Sequence, residues 1–438
     1  MKRLGRWLGL SAAVVGLVMR LEYRSLGTFM FMSLKVFGGA FAPFVAFGGG
    51  LAALIGLLTG DRLALGSGLL GAGLMARSIR GIAAPHDGFT RAFGAGWEAR
   101  IPPQRQHRML PARWVGQMPE APGVRFQRDL AFGAFPPNGA PLLCDLWQPP
   151  VETMPTGIGV IYLHGSGWHY LDKDCGTRTF FRHLARQGQV IMDVAYTLAP
   201  QADIFGMIGD VQRAIAWLKV NAAEYGVDPE RIVLMGGSAG GQLSLLQAFT
   251  ANSPNLQAAD VTIDTSVCGV VSFYGPPDLR AFYDRMGEVR GWMEVGDPER
   301  RERALDMMAV FFNNMMGAIF PGGTAVKMNG AALGDMRHMI TGVLGGSPED
   351  VPELYTLASP ITHVGPHCPP TLLLQGAHDI AVRPEPVRRL YAALQEAGVP
   401  SVYVEFPQTD HGFDLFLPQW APAVQAATYD VERFLALL

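Results

Sequence analysis

Arg231-Ile232-Val233-Leu234-Met235-Gly236-Gly237-Ser238-Ala239-Gly240-Gly241 is the stretch on which the fold turns. Its leading residues form a short apolar run of the kind that is buried as a strand, and residues 239–250 continue in a helical pattern. Between them lies G-x-S-x-G, a strand-to-helix turn that holds a serine hydroxyl at the edge of a sheet. A serine hydroxyl is a weak nucleophile until it is exposed, aligned and paired with a base. Small neighbours let the chain bend that tightly. The letters alone also occur in structural glycine turns, so it is the setting that marks Ser238 as the nucleophile.

The same alternation extends outward on both sides. Val124–Phe132 and Leu142–Trp147 read as a strand pair across Pro136-Pro137-Asn138-Gly139. Strands are then expected at Gly157–Leu163, Val190–Tyr196, Val267–Phe273, Thr371–Gln375 and Ser401–Phe406, with helices at Thr177–Gln187, Ile208–Tyr225, Glu385–Ala397 and Ala421–Leu437. Apolar strands separated by amphipathic helices predict an α/β fold with a mostly parallel sheet covered on both faces. In such sheets chemistry gathers at the carboxyl ends of the strands.

Three further elements fall at those ends. Tyr162-Leu163-His164-Gly165-Ser166-Gly167-Trp168 closes one strand with a turn of small residues. The amides of Gly165, Ser166 and Ala239 are candidates for an oxyanion hole, and Gly167 and Trp168 for contacts with substrate. Gln375-Gly376-Ala377-His378-Asp379 follows another strand, and Thr409-Asp410-His411-Gly412-Phe413 follows the last. The order serine, acid, histidine selects Asp379 as orienting acid and His411 as base. His378 is a rival base that precedes the acid, while Asp410 and Asp414 are rival acids more simply read as loop residues.

The N-terminal part has a different character. The chain is 49% hydrophobic and 17% charged, yet residues 36–58 carry no charge at all. Val36–Leu58 is 23 residues, which as a helix covers about 34 Å, enough for a bilayer core of about 30 Å. A shorter run, 63–77, pairs with it as a hairpin across Thr59-Gly60-Asp61-Arg62, and Trp7–Met19 is expected to lie along the interface. Basic residues flank the hairpin, predicting an inner-membrane attachment with the remaining chain on the cytoplasmic side. A buried apolar hairpin packed on the core or on another subunit is the alternative. Residues 1–84 thus form a membrane-associated segment, 85–122 a proline-rich connecting arm and 123–438 the catalytic domain.

Residues 280–350 interrupt the alternation and hold nine methionines. Methionine adapts its shape, so a cap over an apolar ligand is one reading, with Met307, Phe311 and Met315 as candidate contacts; ordinary core filler is the other. Net charge is −3, giving no electrostatic reason to expect nucleic acid. Cys144, Cys175, Cys268 and Cys368 are scattered, as free thiols would be. No metal motif appears, and no cofactor is expected.

HGSGW, Tyr196-Thr197-Leu198-Ala199-Pro200, GGSAGG, Gly345-Gly346-Ser347-Pro348, Ser359-Pro360-Ile361 and DHGF resemble, in order, the hormone-sensitive-lipase-like branch of α/β-hydrolases, near its bacterial carboxylesterase, feruloyl-esterase-like and kynurenine-formamidase-like members. The likeness covers roughly 125–438. It implies a cofactor-free esterase or lipase acting through Ser238, Asp379 and His411. Where that branch has HGGG this chain has HGSG, placing a side chain, Ser166, at an oxyanion position. The expected substrate is a small-molecule or lipid-like ester with apolar groups, with membrane lipids as neighbours; nothing in the sequence excludes an oligomer. A formamidase-type amidase with the same triad, or a non-catalytic scaffold of the same fold, are the alternatives.

Overall fold

The computed structural model describes residues 1–22, 30–293, 297, 299, 302–303, 306–307, 309–310, 314 and 336–438. Among these residues an eight-stranded, mostly parallel sheet forms the frame. The hairpin β1 (Arg125–Phe135) and β2 (Ala140–Gln148) is antiparallel and docks on β4 (Val190–Ala195). From β4 onward, β3 (Gly157–Leu163), β5 (Val227–Gly237), β6 (Gly269–Phe273), β7 (Thr371–Gly376) and β8 (Ser401–Phe406) run parallel.

Period-two alternation sends successive side chains into two separate cores. In β3, Ile161 and Leu163 join one core, while Ile158, Val160 and Tyr162 join the other. In β5, Ile232 and Leu234 oppose Val233 and Met235 in the same way. Helices Ile204–Val220, Ala239–Phe249 and Pro384–Glu396 contribute to the first core; Arg178–Arg186 and Pro422–Leu437 contribute to the second. The helix expected at 208–225 begins at Ile204, because the Asp203 side chain caps it from Gly206 N at 2.7 Å, and it breaks at Asn221.

The N-terminal residues form α1 (Lys2–Arg20), α2 (Met30–Ala40), α3 (Ala42–Thr59) and α4 (Arg62–Ile82). The apolar run 36–58 is therefore two helices, separated at Phe41, with Pro43 in the first turn of α3 where its missing N–H costs nothing. The short run 63–77 lengthens to 21 residues, capped by Asp61, whose side chain accepts from Ala64 N at 3.2 Å. Trp7–Met19, expected to lie apart along an interface, instead packs along α3 and α4. Small residues explain the difference. A Cβ added at Gly9 would stand 2.4 Å from Ser67 Oγ, at Gly71 2.6 Å from the Ala12 carbonyl carbon, and at Gly68 2.5 Å from Ala53 N. Helices that close exclude any larger side chain. Arg6 Nε also donates to Asp61 Oδ2 at 2.7 Å, tying the start of α1 to the α3–α4 turn.

Residues 85–122 connect the two parts, and they do so while packed: Phe89, Trp97, Ile101 and Met109 enter the second core. Arg113 Nη1 bonds both oxygens of buried Asp430 at 2.5 and 2.6 Å, and Leu110 N donates to Glu432 Oε1 at 2.7 Å. The segment is a strap along the C-terminal helix. All four cysteines are free.

Candidate active site

Ser238 sits between β5 and the helix Ala239–Phe249 at φ 53°, ψ −119°, a left-handed-side conformation that non-glycine residues seldom adopt. Its N–H donates to Phe273 O at 2.8 Å. The flanking glycines are required by crowding: a Cβ at Gly240 would lie 2.0 Å from Leu163 O, and one at Gly236 2.5 Å from the Gly240 carbonyl. The helix start is thereby pressed against the end of β3, which brings the His164–Trp168 turn beside the serine.

The loops after β7 and β8 meet it there. His411 Nε2 lies 2.9 Å from Ser238 Oγ, and His411 Nδ1 lies 2.9 Å from Asp379 Oδ2. Asp379 is buried and saturated with donors: Oδ1 accepts from the amides of Ala381 and Val382 at 3.0 and 2.8 Å, and Oδ2 from Gln375 Nε2 at 3.0 Å. Burial works against charge on His411, but the charge and hydrogen bond of Asp379, with Asp410 and Asp414 beyond, outweigh it and raise the imidazole above its ordinary value. The rival acids have other work. Asp410 Oδ1 accepts from Ile380 N at 2.9 Å and His411 N at 2.8 Å, joining the two loops. Asp414 accepts a hydrogen bond from Tyr274, and burial raises its carboxyl to about 6. His378, the rival base, has its Nδ1 engaged by Lys35 Nζ, while it is His411 that reaches Ser238.

The turn after β3 presents Gly165 against the elbow, where an added Cβ would be 3.2 Å from Ser238 Cβ. Ser166, Gly167 and Trp168 follow at φ 94°, 63° and 66°. Ser166 keeps its amide and turns its hydroxyl away to donate to Tyr170 O. The same reversal carries Trp168 inward. Expected as a substrate contact, it is 1% exposed, and its indole N–H donates to Gln242 Oε1 at 3.1 Å. Gly167 is covered by Met339, whose methyl carbon would be 1.9 Å from an added Cβ. His164 is a buried spacer, stacked on Tyr196 with centroids 4.5 Å apart; burial lowers its pKa and keeps it neutral.

Of the residues expected in the cap, Met307 is exposed, and Phe311 and Met315 lie outside the described residues. Three residues of the site's surroundings escaped the sequence reading. Tyr274, just past β6, sets its ring 4.4 Å from that of His411. Arg285, on the helix Leu279–Met293, donates to Ile380 O from Nε and Nη2 at 3.0 and 2.8 Å. Lys35 arrives from α2. Among the described residues no cluster of histidine, cysteine and carboxylate side chains is arranged to hold a metal ion.

Strand order, serine elbow and the placement of acid and base loops define an α/β-hydrolase. A family model described as BD-FAE matches residues 144–306, and the prolyl oligopeptidase family model matches 307–415, so the serine falls in one match and the acid and histidine in the other. The chain is 28% identical over 336 residues to the esterase LipQ of Mycobacterium tuberculosis, covering 75% of this chain and 69% of that protein. It is 30% identical over 310 residues to the probable carboxylic ester hydrolase LipM of the same organism, covering 70% of this chain and 60% of LipM. The apo form of Thermogutta terrifontis esterase 2 is similar at 21% identity, over 72% of this chain and 93% of that one, with a TM-score of 0.49. The fold is that of the α/β-hydrolases, and the mycobacterial relatives that the chain resembles are an esterase and a probable carboxylic ester hydrolase.

Proposed function

We propose that this protein is a membrane-associated serine hydrolase that cleaves carboxylic esters bearing apolar groups through an acyl-enzyme. One observation carries the chemistry: the unbroken chain from Ser238 Oγ through His411 to buried Asp379. His411 takes the serine proton as the hydroxyl attacks the ester carbonyl, and Asp379 holds the imidazole in the tautomer whose Nε2 is free to accept. The oxyanion then faces the amides of Gly165, Ser166 and Ala239; in comparable sites one such donor contributes about 3–4 kcal/mol. His411 returns its proton to the leaving alcohol, the ester C–O bond breaks, and a water activated by the same imidazole releases the acid.

Membrane association is supported by the make-up of the N-terminal helices. Among the described residues α3 is the helix long and apolar enough to cross a bilayer. The bundle is also built inside out for water: glycine and alanine fill its interior, while Trp7, Phe47 and Leu58 are 73%, 74% and 76% exposed. Arg20, Arg77 and Arg80 lie at the end that meets the catalytic domain, which we place on the cytoplasmic side.

A chain-length series of nitrophenyl esters with matched anilides, run on wild type and Ser238→Ala, tests the activity. Equal hydrolysis by both proteins refutes it. The match of residues 307–415 to the prolyl oligopeptidase family makes amide cleavage the second reading, and anilide preference selects it. Resistance to carbonate extraction, with labelling of cysteines engineered at positions 60 and 90 from opposite sides, tests the anchor; same-side labelling rejects it.

A further inference from the structure

We propose that Lys35 is a positioning residue of the active site, through which the N-terminal helices hold the acid-bearing and base-bearing loops in register. The inference rests on the Ser238–His411–Asp379 reading.

The helix α2 is docked on the segment that follows His411. Phe37 meets Phe416 with ring centroids 4.9 Å apart, and Ala40 packs with Ala421 and Val424. At the start of α3, Phe44 meets Trp420 at 5.6 Å. This docking carries Lys35 to 1% exposure, with Nζ 2.5 Å from Nδ1 of His378. Burying a lysine is costly unless its charge is answered. His378 and Asp410 are among the groups that answer it. Burial, then the adjacent lysine, lowers His378 to about 4, so its ring is neutral and Nδ1 accepts from the ammonium. The second partner is Asp410, whose field offsets the burial that lowers Lys35 to about 8, leaving it cationic at neutral pH. Glu22 adds to that field, and Glu405 faces His378.

Both partners lie one residue before a member of the triad. His378 precedes Asp379, and its amide donates to Thr409 O at 2.9 Å. Asp410 precedes His411, and its Oδ1 alone receives the amides of Ile380 and His411, while Oδ2 is buried and accepts no hydrogen bond. Burial and the neighbouring charge of Asp379 push Asp410 toward protonation; Lys35 opposes them. An ionised carboxylate is the stronger acceptor. Removing the ammonium weakens the junction that fixes the distance between the acid and the base. The bundle is then more than an anchor, because part of the catalytic geometry is supplied from α2.

The test uses the full-length protein in detergent, reading the labelling rate of Ser238 by a fluorophosphonate and the hydrolysis of p-nitrophenyl butyrate. For Lys35→Met we expect labelling and kcat to fall at least tenfold, KM to stay within threefold, and the thermal midpoint to show a folded protein. His378→Ala, at a partly exposed position, removes the lysine's acceptor and should show the same split; it decides the matter if Lys35→Met does not fold. Wild-type labelling in the folded variant, or a loss confined to KM, overturns the proposal. Ser238→Ala must remain unlabelled: labelling there refutes the triad and leaves Lys35 no geometry to position.

Discussion

Replacing Asp379 with Asn keeps the shape of the acid and inverts what it offers. Four donors converge on this side chain in the wild type: His411 Nδ1 and Gln375 Nε2 on Oδ2, and the amides of Ala381 and Val382 on Oδ1. An amide nitrogen at the Oδ1 position would face two backbone N–H groups that cannot turn away. The amide nitrogen therefore takes the Oδ2 position and donates to His411 Nδ1, which forces the proton onto Nε2, facing Ser238. The base is then in the wrong tautomer. The same change in a serine–histidine–aspartate protease lowers kcat about 10⁴-fold, equivalent to about 5.4 kcal/mol at 1.36 per tenfold. For this protein we expect kcat/KM on p-nitrophenyl butyrate to fall by about 10³–10⁴, with the melting temperature showing a folded protein. A loss of less than tenfold would refute the assignment of Asp379 and turn attention to Asp410.

Because the base works only when neutral and its pKa is raised, kcat/KM should fall as pH drops through a midpoint above the ordinary histidine value; Asp414→Asn, removing one raising charge, should move that midpoint down. A pH profile of both proteins checks it, and an unmoved midpoint removes Asp414 from the site's electrostatics. Ser166→Gly should leave kcat within about threefold, since φ 94° suits glycine and the hydroxyl already points to Tyr170 O. A hundredfold loss would instead put that hydroxyl on the oxyanion. Gly240→Ala drives a methyl to 2.0 Å from Leu163 O, and overpacking of this kind costs about 3 kcal/mol; thermal unfolding should show the drop. Gly68→Leu, opposite Ala53 N at 2.5 Å, should separate α3 from α4 and lower recovery in membranes, whereas Gly66→Leu, with open space at its Cβ, should not.

What could be read from the chain alone was whatever local physics fixes. The strands alternate side chains between two cores, and their apolar runs stand out at Gly157–Leu163 and Ser401–Phe406 with the ends seen in the structure. The elbow announces itself because Gly236 and Gly240 have no room for another residue. What escaped depends on partners far along the chain or on backbone reversal. Trp168 follows the turn after β3 and reads in sequence as a substrate contact, but three successive positive φ values turn its indole under the loop. Hydropathy does not distinguish a helix lying on lipid from one lying on other helices, so α1 was misplaced. The signal that would have placed it was present, in Gly5, Gly9, Ala12 and Gly16 recurring at three- and four-residue steps. Nothing near Lys35 in the sequence points to His378, 343 residues away.

That separation bears on how the molecule is made. Synthesis delivers α1–α4 long before the loops after β7 and β8, so the early helices are made well ahead of the segments on which they dock. Nascent or prematurely terminated products therefore lack both the imidazole and the socket into which the lysine fits. The contact between α2 and the two loops can form only after both loops have been made.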